Sequence, residues 1–154
     1  MASWKEFEAV EPELAARVRE RLDAHRHKTL ATLRRDGSPR ISGTETQLAD
    51  GELWIGSMWE ARKALDLRRD RRYALHSGSD DPPGWRGDAK LSGLAEEILD
   101  EEEVIRRNGA ELHPSHLFRL EIHSASTVAL TEDGKAVRIE SWTQERGRRS
   151  LERR

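Results

Sequence analysis

Leu14, Val18 and Leu22 recur at four-residue spacing behind Pro12, a residue suited to a first helical turn, and they predict an amphipathic helix over residues 11–25. A β-compatible run over 29–33 follows, closed by Arg35-Asp36-Gly37-Ser38-Pro39, whose Asp-Gly is a strong turn signal. A second strand is predicted over 40–47, a hairpin turn at Asp50-Gly51 and a third strand over 52–57. Ala61, Ala64 and Leu65 then switch the period to helical, and a short strand over 72–76 leads into a loop, Gly78-Ser79-Asp80-Asp81-Pro82-Pro83-Gly84, placed by composition. Further on, residues 90–99 read as a strand, and Asp100 followed by Glu103 has capping-box chemistry for a helix that Asn108-Gly109 ends. Phe118, Leu120 and Ile122 alternate with Arg119, Glu121 and His123, the pattern of a strand with one buried face, continuing to Leu130; Asp133-Gly134 turns it into a last strand over 135–142. About seven strands joined largely by hairpins predict a mainly β fold with helices, an antiparallel barrel or sandwich rather than a parallel sheet.

Composition narrows this picture. The length of 154 residues suits a single domain over 1–154, with 1–10 and 145–154 expected as flexible ends. Only 35% of residues are hydrophobic against 36% charged, so the core is lean and a homodimer would bury more apolar surface. With 27 basic and 29 acidic residues the net charge is -2, which argues against non-specific nucleic-acid binding. The absence of cysteine excludes disulfides, thiolate nucleophiles and cysteine-ligated metals. No stretch approaches the roughly 18 apolar residues of a membrane helix, and MASWKEFEAVEPE lacks the apolar core of a signal peptide, so a cytoplasmic protein without a membrane partner is expected. His113 and His116 flank Pro114 without a matched carboxylate or cysteine cluster; they read as solvent-facing loop residues, and no metal site is expected.

Candidate chemistry concentrates in RISGTETQLADGELWIGSMWEARKALDLRRD, from Arg40 to Asp70. Arg62 and Lys63 stand where a strand enters a helix, and basic side chains there add to the preference of backbone N–H groups and the helix dipole for an anion. A phosphorylated cofactor is the leading expectation, against the reading of a solvated surface pair. Arg40 would neutralise further phosphate charge, and small Ser42, Gly43, Gly56 and Ser57 would let a flat ring approach the backbone. Gly43 and Gly56 are equally compatible with bulges or close packing. Trp54, Trp59, Trp85 and Trp142 suit either ring stacking or a core or interface role. Residues 145–154 carry five arginines against two glutamates and read as a solvated end or as a hold for a polyanionic tail.

The order of a helix, ATLRRDGSPRISGTETQLADGELWIGSMWEARKALDLRRDRRYALHS and a strand carrying LSGLAEEI resembles the pyridoxamine 5′-phosphate oxidase-like, flavin-binding split-barrel family. Residues 27–98 carry the resemblance, and FRLEIHSASTVAL with RIESW is compatible with it. The resemblance implies a split β-barrel of antiparallel, Greek-key type, assembled as a homodimer with the cofactor in a groove at the subunit interface. FMN is the family's usual cofactor, and a branch uses the deazaflavin coenzyme F-420, whose polyglutamate tail would suit the surplus arginine of the chain end. On this resemblance Arg40, Ile41, Ser42, Gly43, Thr44 and Glu45 form the strand that runs along the cofactor, Gly56 and Ser57 are contacts on the neighbouring strand, and Arg62 and Lys63 match the phosphate-binding pair. Asp88 stands where true pyridoxamine phosphate oxidases have an amide on the flavin, and a carboxylate accepts hydrogen bonds without donating them. The chain ends in GRRSLERR rather than Arg-Leu-x-Pro, so a small-molecule substrate other than pyridoxamine phosphate is expected. The implied activity is an FMN- or deazaflavin-dependent oxidoreductase working by hydride transfer, with no acid/base dyad required. The alternatives are a non-catalytic cofactor-binding or sensor module and, last, a nucleic-acid binder acting through the arginine-rich end.

Overall fold

In a computed structural model describing residues 1–154, the predicted first helix is α2 (Pro12–Ala24), preceded by a helix the pattern did not announce, α1 (Trp4–Val10). The chain continues through β1 (Lys28–Leu33), β2 (Pro39–Thr44), β3 (Gln47–Ala49), β4 (Glu52–Met58), α3 (Arg62–Arg69), β5 (Arg72–His76) and β6 (Asp88–Glu97). It then forms α4 (Glu101–Asn108), a single 3-10 turn at Ala110–Leu112, β7 (Ser115–Leu130), β8 (Val137–Thr143) and β9 (Gly147–Arg153).

All strand pairings are antiparallel, and the strand order is β2-β1-β5-β6-β7-β4-β3, with β8 on the later half of β7 and β9 on β8. β2 and β3 are the two ends of that order, yet only Glu45 and Thr46 separate them in the chain. Three Cα steps span at most about 11 Å, so the sheet must roll until its edges almost meet. The result is a barrel with a seam between β2 and the β3–β4 hairpin. β7 carries the turn of the barrel: its first half pairs with β4 and its second with β8, while β6 runs along both halves. The β6–β7 register shifts at Ser92/Gly93, where a Cβ on Gly93 would stand 1.9 Å from the Glu121 carbonyl oxygen; only glycine lets the backbones approach that closely.

The core is one cluster in which Leu30, Leu53, Ile55, Leu91, Phe118, Leu120 and Ile122 from the strands meet Leu14, Val18 and Leu22 from α2. The four-residue spacing of α2 thus buries the predicted face. Both chain ends, expected as flexible, carry regular structure. Ser3 caps α1 by accepting from the Glu6 N–H, Ala2 exchanges backbone hydrogen bonds with Ile122, and Phe7 is fully buried between Trp4 and Trp142, with ring centroids 5.4 and 5.0 Å away. At the other end β9 is an outer strand, and Arg148 reaches Glu11, Glu13 and Glu140. Two local expectations also change. The second predicted strand stops at Thr44, because the chain must cross the seam before pairing as β3. Asp100 caps α4 through the Glu102 N–H, but Glu103 turns outward to Arg106 and Arg107 instead of closing a capping box.

Phe7→Ala removes a fully buried ring and should lower unfolding free energy by about 3–5 kcal/mol, measured by urea denaturation; a dispensable N-terminus would leave the midpoint unchanged.

Candidate functional site

The seam opens into a groove of about 1070 Å³. One wall is the end of β2 with its link to β3, contributing Gly43, Thr44 and Glu45; the floor is Gly56 and Ser57 of β4; Lys63 enters from α3; and Arg107, Asn108 and the segment His113–Ser115 close the far side. Six of the eleven predicted site residues therefore meet here: Gly43, Thr44, Glu45, Gly56, Ser57 and Lys63. Arg40, Ile41, Ser42, Arg62 and Asp88 do not line it.

α3 meets the groove at its start, where Lys63 lies. Ala61 occupies the N-cap position and offers no side-chain acceptor, and its carbonyl takes the Ala64 and Leu65 N–H groups at 3.0 and 3.1 Å. The N–H groups of Arg62 and Lys63 are left without a protein partner, as the first turn of any uncapped helix requires. The Arg62 side chain is exposed, while Lys63 folds back so that its ammonium donates to the Gly43 carbonyl at 2.8 Å. Burial pushes the Lys63 pKa down, with Glu45 partly opposing that shift. No atom would contact a Cβ on Gly43 within 4 Å, so the backbone there is open to a ligand.

Arg40 has a different task from the one expected. Its Nε donates to Asp66 Oδ2 at 2.7 Å, and the same buried carboxylate accepts from Thr32 Oγ1 at 2.8 Å and from Arg69 at 3.0 Å. Burial works to raise the Asp66 pKa, but hydrogen bonds from Arg40, Thr32 and Arg69 outweigh it and hold the carboxyl below its usual range. Arg40 is thereby a brace between β2 and α3. Gly56 is also reassigned: a Cβ there would lie 2.5 Å from Asn108 Oδ1, so the missing side chain makes room for Asn108, whose amide donates to Ser115 Oγ and the His116 carbonyl, both at 2.9 Å. Ile41 is exposed on the outer face of β2 and Ser42 is half-buried behind it. Asp88 is the first residue of the central strand β6, paired with Val128 and with one buried carboxylate oxygen unpartnered.

Neither a family model nor a curated protein sequence matches the chain. Solved structures do. PhzG from Burkholderia lata 383, bound to tetrahydrophenazine-1-carboxylic acid, superposes with a TM-score of 0.62 at 17% identity, covering 97% of this chain and 89% of its own. A Clostridium acetobutylicum protein related to general stress protein 26, of the pyridoxinephosphate oxidase family, gives 0.61 at 14% identity over 88% and 96%. A heme-binding protein from Mycobacterium smegmatis gives 0.61 at 14% identity over 92% and 88%. The chain has the pyridoxamine 5′-phosphate oxidase-like split-barrel fold.

In this split barrel the tryptophans divide by depth. Trp142 is core, Trp54 is buried with Arg107 over its ring at 4.4 Å, and Trp59 stands half-exposed at the groove, 49% accessible. The loop holding Trp85 takes no part; Asp80 in that loop meets His25 instead. The histidine expectation needs correcting as well. His113 lies at the groove and meets Glu101, but His116 is buried in β7, 2% exposed. The signal was present, since 116 has the parity of 118, 120 and 122 and extends their buried face by one step. The chain contains no helix long and apolar enough to cross a membrane.

Asp66→Asn should cost about 3 kcal/mol at neutral pH by leaving Arg40 and Arg69 without their charge partner. Because the folded pKa of Asp66 is depressed, its contribution is complete above the unfolded value near ~3.9 and fades as pH falls through the lower folded value. Denaturant melts of both proteins at neutral and acidic pH should therefore converge below that range.

Proposed function

We propose that the seam groove binds a phosphorylated flavin-type cofactor, FMN or the deazaflavin coenzyme F-420, and that the protein is an oxidoreductase acting on a small organic substrate. The observation that carries this reading is the start of α3, where the Arg62 and Lys63 backbone N–H groups have no protein partner and the Lys63 ammonium lies in the groove beside the open backbone of Gly43; the exposed Arg62 side chain, outside the lining, adds a second positive charge next to it in the chain. Donors of that kind favour a dianionic phosphate over neutral ligands. Lys63 already sits in a partly desolvated position, and its acceptor is a neutral carbonyl, so an arriving phosphate would compete on favourable terms.

When bound, the cofactor would supply the hydride chemistry, and the protein's residues would position it. Arg62, Lys63 and the α3 N–H groups would hold the phosphate, Ser57 and Thr44 offer hydroxyls along the groove, and Gly43 admits a flat group against β2. At Gly56 the Asn108 side chain occupies the direction a Cβ would take. A homodimer closing the groove is part of the same proposal: Met58, Trp59 and Leu112 expose apolar surface at its rim and Ile41 exposes more on the adjoining face of β2, and a second copy would cover them. The arginines of the chain end give F-420 no advantage within one subunit, because β9 pairs only with β8 and Arg148 is engaged by Glu11, Glu13 and Glu140.

Parallel fluorescence titrations with FMN and F-420, and an absorbance titration with heme as a third ligand, test this reading. Saturable binding of one flavin-type cofactor is expected, weakened at least about tenfold in the Arg62→Ala, Lys63→Ala double variant through loss of charge-assisted contacts. No binding of FMN or F-420 would overturn it, and binding without substrate-dependent redox change would leave a binding or sensor module.

A further inference from the structure

His116 is the one buried histidine of the chain, and every atom it presents is engaged. Its Nε2 lies 3.0 Å from the backbone nitrogen of Glu60, and its Nδ1 lies 3.0 Å from Glu97 Oε1. A backbone N–H can only donate, so Nε2 must be an unprotonated acceptor. Glu97 is held ionised: burial opposes that, but Arg68, which donates to both carboxylate oxygens at 3.0 and 2.9 Å, together with His116 brings its pKa below the usual range. Nδ1 therefore carries the proton and donates it to Glu97. The charged and titratable groups around the ring are Glu97 from β6, Arg68 from α3 and Glu60 from the turn; Trp59 covers the ring face, stacked at 4.6 Å and 6°.

Glu60 is the middle of the turn that ends β4 and opens α3. Its φ of 58° is left-handed, a costly conformation for a residue with a side chain, and the Ala61 N–H closes the turn on the Met58 carbonyl at 3.1 Å. The Glu60 N–H bond to His116 is the long-range contact of that backbone, and the turn opens α3 two residues later at Arg62 and brings Lys63, the next residue, into the groove.

We propose that neutral His116 is a positioning residue, a latch that holds the turn presenting the anion-binding donors of α3, and that protonation of its Nε2 releases the latch. In the imidazolium form Nδ1 still donates to Glu97, but Nε2–H faces the Glu60 N–H, two donors at hydrogen-bond distance with no acceptor between them. Glu60 must then move away from His116, and the N–H groups of Arg62 and Lys63 lose their fixed direction. Anion binding at the groove weakens in acid as a result. The latch is independent of what the groove binds; only its consequence for FMN rests on the function proposed above.

Nitrogen NMR of the full-length protein without ligand tests the latch. At about pH 8 the His116 ring should show the Nδ1–H tautomer, and on acidification the amides of Glu60, Arg62 and Lys63 should shift with the same midpoint as the imidazole. An Nε2–H tautomer, or amides that stay still while the ring titrates, would overturn the proposal. FMN titrations of wild type and His116→Gln give the second readout. Gln keeps an acceptor for Glu60 but cannot become a cation, and the phosphate's own protonation is common to both proteins. The wild type should lose about tenfold more affinity than His116→Gln between about pH 7.5 and 5. Parallel pH profiles would overturn it. If FMN binds at no pH while the amides still follow the ring, the latch stands and the cofactor reading falls.

Discussion

The two-residue link between β2 and β3 is the constraint from which the architecture follows. A sheet whose end strands are joined by Glu45 and Thr46 alone cannot stay open, whatever its side chains prefer. Because β2 and the β3–β4 hairpin face each other without a connecting ladder, the closure leaves backbone and small side chains exposed along a line, and the groove lies on that line. The site is thus a by-product of how the barrel closes. Its residues come from neighbouring stretches of chain on opposite banks, which is why a thirty-residue segment supplies most of it.

Closure needs bracing where hydrogen bonds are absent, and charge does that work in a chain with few apolar residues. Asp66 ties β1, β2 and α3 together through Thr32, Arg40 and Arg69. Lys63 spans from α3 to the Gly43 carbonyl, directly across the seam. Glu97 and Arg68 hold His116 against the turn that begins α3. Three independent polar contacts therefore fix one short helix on the lip of the groove, while the apolar cluster under α1 and α2 secures the other side of the barrel.

Much of this was legible along the chain. Hairpin turns, the α2 stripe and the alternation of β7 are local signals, and β1, β2, β4, β5, β6 and β7 lie within a few residues of where periodicity places them, whereas the short β3 was not foreseen. The resemblance in residues 27–98 pointed to the split barrel and to the small residues at its seam. What failed was partner choice, which depends on elements distant in sequence. Arg40 looks like a phosphate ligand until Asp66, twenty-six residues later, is folded beside it. Gly56 looks like a cradle for a ring until α4 brings Asn108 onto it. Charged, hydropathy-poor ends look solvated, yet Trp4 and Phe7 bury α1, and β9 is held by its ladder with β8 and by the ion pairs of Arg148. His116 was missed because its alternation parity went unread beside the proline.

The outermost strand has a consequence for how these molecules coexist in solution. β9 leaves one row of N–H and C=O groups free, which is the usual template for end-to-end sheet growth. Its seven residues hold three arginines and one glutamate, and all but Gly147 are exposed. Arg148 is neutralised by Glu11, Glu13 and Glu140, but Arg149 and Arg153 would face their own counterparts on a second β9 arriving alongside, a like-charge contact that counts most at low ionic strength. Charge on an exposed edge strand disfavours edge-to-edge pairing, and the exposed Arg149 and Arg153 place it on β9.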